Sequence, residues 1–232
     1  MSTTARVLTT GVVFAAAMRD TSRRNIYFCV AAIPFHLLMA GGKGALMIVS
    51  PSLFILANVV FTLGLAGVKL IVVLADRQLR RTGDEAVLKR AYRLSGRILL
   101  LLSLAYAALC LPLVFGEGRT ERYTSEVAIA IATVTFVELG FSLHGFASSR
   151  RRGDLLMEAV KLSNLAASLI FLVLTQTALL SMTSASDHSR YNGICGIVMG
   201  AGAALISLRL MLRRVPQVRP EARVRGASAP TR

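Results

Sequence analysis

Apolar positions along this chain gather into six blocks, at about residues 26–46, 52–75, 97–115, 127–147, 162–182 and 193–212, separated by short stretches carrying most of the charge. Each block is roughly the 20 residues that a helix rising 1.5 Å per residue needs to cross a hydrocarbon core about 30 Å thick. Within the blocks apolar residues run on instead of alternating, which speaks against the strands of a transmembrane barrel. The pattern therefore predicts an all-α fold, a polytopic transmembrane helical bundle of six spans. Ser50 followed by Pro51 offers a cap and a first-turn proline to span two, and Asn192 offers a cap to span six.

Composition agrees with the pattern: 54% of the 232 residues are hydrophobic and only 17% are charged, where soluble domains carry about a quarter. Mean hydropathy is +0.61. The net charge of +15 would suggest nucleic acid in a soluble protein, but its placement gives another reason. Four basic residues precede span one (Arg6, Arg19, Arg23, Arg24), seven lie in 76–97, four around 150–161 and seven from Arg209 onward, against Lys43, Arg119, Arg122 and Arg190 on the other side. By the positive-inside rule both termini are cytoplasmic, and no nucleic-acid partner is implied. The same residues are placed to hold anionic lipid headgroups, at about 1 kcal/mol for each near the surface.

Residues 1–25 form a cytoplasmic segment in which VLTTGVVFAAAM (7–18) resembles the apolar part of a signal peptide. Cleavage there would leave Arg19, Arg23 and Arg24 on the wrong side, so an uncleaved interfacial helix is expected. The membrane domain is 26–212, and 213–232 has the proline- and arginine-rich composition of a disordered tail. The three cysteines, Cys29, Cys110 and Cys195, share no metal-ligand spacing, and no phosphate loop, HExxH or GxSxG is present. No cofactor, metal or soluble-enzyme chemistry is therefore expected.

Candidate chemistry lies in the polar residues of the spans, because an ionisable group there costs about 2.5–3.5 kcal/mol on insertion scales and turns toward the bundle interior. Asn58, Thr62 and Lys69 fall on one stripe of span two; Lys161, Asn164, Ser168 and Thr175, with Gln176 at the edge, fall on one stripe of span five. Thr135, Glu138 and Ser142 share a face of span four. Glu138 and His36 lie roughly 14 and 15 Å from the inner ends of their spans, and Lys69 roughly 9 Å from the inner end of its own. The three converge if spans one, two and four are neighbours. His144, about 120° around the helix from Glu138, belongs to the cytoplasmic rim. Pro34 and the run GGKG (41–44) give span one a bend and a place to break, as in transporters whose broken helices border a midplane site. Spans one and four, and two and five, then correspond as halves of an inverted repeat. In span six Gly196, Gly200 and Ala204 permit close approach of a helix, within the bundle or from a second copy or partner protein.

The segment GDLLMEAVKLSNLAASLIFLVLTQTALLSM (153–182), with TQTALLS at 175–181, resembles the fifth span of a group of uncharacterised bacterial six-span integral membrane proteins, and NIYF (25–28) is similar to that group more loosely. The resemblance implies a multi-pass protein of the bacterial cytoplasmic membrane and adds weight to Gln176; it carries no activity. Two functions follow from the residues. One is transport or exchange of a small solute or ion, with Glu138 as proton acceptor or cation site, His36 as its partner, Lys69 as counter-charge, and Asn58, Asn164 and Gln176 as polar lining. The other is a non-transporting scaffold or subunit binding through span six and the basic 76–97 segment. A lipid-modifying enzyme would have only Glu138 and His144 for acid and base.

Overall fold

The computed structural model describes residues 21–49, 51, 53–116, 124–147, 155–183 and 188–213. They form α1 (Thr21–Val49), α2 (Leu53–Thr82), α3 (Glu85–Phe115), α4 (Ser125–Ala147), α5 (Leu155–Thr183) and α6 (Ser189–Leu212), with no strand among them. Five are long and apolar enough to cross a membrane, and among the described residues α4 adds the shorter apolar stretch Ser125–Val137. Segment 7–18, residues 150–152 and the tail beyond 213 lie outside the described residues.

Several expected boundaries move, for identifiable reasons. Residues 76–97 are no loop: α2 continues to Thr82 and α3 begins at Glu85, leaving Gly83 and Asp84 as the whole connection. Gly83 takes a positive φ of 67°, where glycine has no side chain to strain. The Asp84 carboxylate accepts the Ala86 N–H at 2.8 Å, capping α3. The basic residues of this segment therefore sit on two helices projecting past the apolar blocks. GGKG does not break α1, which is helical from Thr21 to Val49 with Pro34 inside it. Helix α2 starts at Leu53, two residues past Pro51, and α6 is entered from His188, so Asn192 stands in its first turn and not at the N-cap position.

Helix α5 is the hub. It packs against all five others, whereas α4 packs against α5 alone; α1 lies on α2, α2 on α3, and α3 on α6. Helices α2 and α5 are accordingly the most buried, each by more than half. Phe54, Phe61, Leu65, Tyr106, Ile170 and Phe171 form the centre of the core. The Arg213 guanidinium pairs with the Glu158 carboxylate, joining the end of α6 to the start of α5.

The α3–α6 seam explains the small residues of span six. A Cβ on Gly193 would lie 2.8 Å from Leu113 Cβ and 3.1 Å from the Cys110 carbonyl oxygen; one on Gly200 would lie 3.1 Å from Ala107 Cβ. Gly196 faces Cys110 Sγ. The stripe is thus occupied by α3 of the same chain, and the face offered by Gly196 and Gly200 to a second copy or partner is covered.

Gly193→Val is expected to force α3 and α6 apart at a cost of about 1–3 kcal/mol, as overpacked cores do, and to lower the unfolding temperature in detergent. Gly67→Ala, whose new methyl meets nothing within 4 Å, should leave it unchanged or raise it.

Candidate functional site

Two helices of opposite direction bring the polar groups of α1 and α2 together. Cys29, His36 and Lys43 are seven residues apart on α1, two helical turns each, and all are buried. On α2, Thr62 and Lys69 are also seven apart. Antiparallel packing then matches Lys43 with Thr62 and His36 with Lys69, two rungs in the same register. Lys43 Nζ donates to Thr62 Oγ1 at 3.0 Å, and Lys69 Nζ lies 2.6 Å from His36 Nε2.

Hydrogen accounting fixes the direction of the first rung. The Thr62 hydroxyl donates its only hydrogen to the Asn58 carbonyl at 2.7 Å, so toward Lys43 it can only accept. Lys43 Nζ also lies 4.7 Å from the centre of the Phe171 ring, over its electron-rich face. Both contacts suit an ammonium. In the second rung one shared hydrogen joins the amine and the imidazole, so His36 and Lys69 form a proton-holding pair whose two members cannot both donate along that contact.

Beside the first rung is a cavity of about 290 Å³, lined by Leu38, Met39, Gly42 and Lys43 of α1, Ile55 and Asn58 of α2, Val127, Ala130, Ile131 and Thr135 of α4, and Leu174 of α5. Lys43 and Asn58, 7% and 1% exposed, form its floor, while Leu38 is 75% exposed at its edge. No described Cα atoms of α1 and α4 come within 8 Å of each other, so the cavity occupies the space between these helices, with α2 and α5 behind it. Its walls are aliphatic apart from Lys43, Asn58 and Thr135. Thr135 Oγ1 is paired with Thr175 Oγ1 and donates to its own helix. Asn58 Nδ2 donates to the Phe54 carbonyl at 2.9 Å, and the Asn58 side chain has the buried Tyr106 hydroxyl as a hydrogen-bonding neighbour.

The expected site residues divide among several places. His36 and Lys69 meet, and Asn58 lines the cavity. Gln176 faces the other way, accepting from Cys195 Sγ of α6 at 2.8 Å, while its neighbour Thr175 turns to α4. Asn164 is half-buried and its carbonyl accepts from Ser168 Oγ; neither it nor Gln176 borders the cavity. The span-five stripe thus serves two neighbours, because Thr175 and Gln176 are adjacent and 100° apart. Glu138 lies on α4 one turn beyond Thr135; its side chain, with those of Ser142 and His144, lies outside the described residues. Helices α1, α2 and α4 meet around the cavity without α4 packing directly on α1 or α2.

Lys43 is the residue that sequence reasoning put in the wrong role, as an outer-surface charge. Its spacing of seven from His36 marks it as belonging to the same inward stripe. Among the described residues no three His, Cys, Asp or Glu side chains gather to hold a metal ion.

The His36–Lys69 rung is expected to show coupling. Lys69→Leu and His36→Leu should each destabilise by about 1–3 kcal/mol by stranding a buried partner. The double variant should lose clearly less than the two together. Thermal unfolding of the four proteins in the same detergent measures this, and strict additivity would mean that the contact contributes nothing.

No family model matches this chain and no curated protein matches it, so its function is inferred from the chemistry of the cavity and the ladder.

Proposed function

We propose that this protein is a six-span carrier of a small solute, binding it in the cavity between α1 and α4 and exchanging it across the bilayer. All six helices cross the membrane in this reading; α4, at 23 residues, spans roughly 35 Å. Both termini are cytoplasmic, which puts the basic α2–α3 hairpin against the anionic headgroups of a bacterial cytoplasmic membrane. Helix α1 then runs outward, and the cavity lies in the outer half with the His36–Lys69 pair one heptad, about 10 Å, further in.

The observation that carries the reading is the polar floor. Most hydroxyls of the spans are satisfied by the carbonyl four residues earlier in their own helix, as with Ser103, Ser163, Thr177 and Ser207, and need no function. Lys43 and Asn58 differ, because both border open space in which a solute fits. An ionisable side chain at this depth is a functional-site candidate by default. The aligned His36–Lys69 pair continues the polar stripe inward and provides a place for a proton. Helix α3 covers Gly196 and Gly200, which leaves the basic 76–97 segment as the surface of the scaffold reading.

Proteoliposomes should show counterflow of at least one member of a panel of radiolabelled amino acids, organic acids and sugars. Lys43→Met should reduce it at least tenfold, and Gly42→Leu, which fills the mouth without touching the floor, should do the same. A stable hetero-complex with no counterflow, unchanged by Lys43→Met and Glu138→Gln, would establish the scaffold instead.

A further inference from the structure

The cavity between α1 and α4 has a chemistry of its own at rest. Three polar residues belong to its lining, and each has its polar head engaged within the protein. Lys43 Nζ donates to Thr62 and lies over the Phe171 ring. Thr135 is bonded to Thr175 and to the Ile131 carbonyl, and the Asn58 side chain has the Phe54 carbonyl and the Tyr106 hydroxyl. The rest of the lining offers hydrocarbon, from Leu38, Met39, Ile55, Val127, Ile131 and Leu174. Apolar cavities stay dry and take apolar guests, and an empty one forfeits the contacts its walls would otherwise make.

The glycines of α1 bear on what that guest is. Gly41, Gly42 and Gly44 sit in a continuous helix, where glycine is less favourable than alanine. In the α3–α6 seam glycine makes room for a neighbouring helix, but a Cβ on any of these three would meet no described atom within 4 Å. Gly42 lines the cavity and is exposed, as is Ala130 of α4, and Leu38 beside them is 75% exposed. No described Cα atoms of α1 and α4 approach within 8 Å, so the cavity opens between these two helices, toward the bilayer around them.

Size separates the guests that could fill it. One turn of a helix with its side chains, about 10 Å across and about 5.4 Å high, occupies roughly 400 Å³, more than the 290 Å³ present. A hydrocarbon chain needs less width, and the same space takes roughly ten groups the size of a water or a methylene. A strongly hydrated body such as a sugar would lose its water against these walls without replacing it. Acyl chains are the medium on the open side, at a concentration no dissolved solute reaches, and mass action favours them.

We propose that the cavity is a binding site for one acyl chain of a bilayer phospholipid, which enters sideways between α1 and α4 and lies along the glycine-bearing flank of α1. Only the chain is held, and the headgroup stays at the membrane surface. The site goes beyond the carrier reading and does not depend on it; a carried solute displaces the chain.

A phospholipid with a diazirine midway along one acyl chain tests this in nanodiscs holding the full-length protein. After illumination, peptide mapping should find at least fivefold more label on Met39, Gly42, Val127, Ala130 and Ile131 than on Val198 and Leu205, which are 59% and 68% exposed on α6 but line no part of the cavity. Gly42→Leu and, separately, Ala130→Leu each place a larger side chain at the opening. Each should reduce the label at the cavity at least fivefold and leave that on α6 unchanged. Gly42→Leu has room, since a Cβ there meets nothing within 4 Å, and circular dichroism checks that both variants fold.

Equal labelling of the cavity and of α6 would overturn the site. Displacement of the label by a few mole per cent of free fatty acid would overturn the phospholipid as its occupant. A dimer in the nanodisc, seen by mass photometry and abolished by Gly42→Leu, would put a second copy there instead. The lipid site and the carrier fail separately: preferred labelling without counterflow of any solute sinks the carrier alone, and equal labelling with counterflow sinks the lipid site alone.

Discussion

A charged or strongly polar side chain inside hydrocarbon has nowhere to find water, and this constraint organises the first half of the molecule. Lys43, His36 and Lys69 would each be costly alone. Placing them at heptad intervals on one helix, opposite Thr62 and one another on its antiparallel neighbour, makes two rungs of a ladder at a single register. A slip by one turn would break both rungs together, so the polar groups set the alignment of α1 on α2 where apolar packing alone would tolerate several. Polar contacts between membrane helices are worth only about 0.6 kcal/mol each on average; their value here lies more in choosing a register than in strength.

The second half relies on a different device. Helices α3 and α6 are held by close approach, glycine against Cys110, Ala107 and Leu113, and α5 provides the common wall. The exchange of α1 with α4, α2 with α5 and α3 with α6 reproduces most of the pairings: α1 on α2 as α4 on α5, α2 on α3 as α5 on α6. It fails at α5, which touches α1 and α3 while α2 touches neither α4 nor α6.

Much of this was legible in the sequence because membrane helices announce themselves by length and hydropathy, and because Asn58, Thr62 and Lys69 are spaced to share a face. Depth matched His36 to Glu138 and put Lys69 within a long side chain's reach of both; that Lys69 is the group His36 meets comes from the register of α1 on α2. Other features depend on facts that a single chain's pattern does not carry. GGKG permits a break without requiring one, and intrahelical hydrogen bonds are worth keeping where no water can replace them. The α2–α3 hairpin continues past its apolar blocks because Gly83 and Asp84 can close it in two residues. Gln176 lies one residue from Thr175, and which neighbour each side chain meets is decided by the arrangement of α4 and α6 around α5. Lys43 was misassigned because a lysine near the end of a span ordinarily reaches outward, and only its heptad relation to His36 argues otherwise.

The dependence of α4 on α5 alone bears on how the protein is made. During synthesis α1 can release its lysine and histidine into the bilayer only once α2 has emerged to receive them, so these two segments have to leave the insertion machinery as a pair. Helix α4 then waits with no surface of the earlier helices to rest against until α5 arrives. A nascent chain halted after α4 would therefore hold α1, α2 and α3 packed in succession and one unattached helix, and the hub that gathers them follows next.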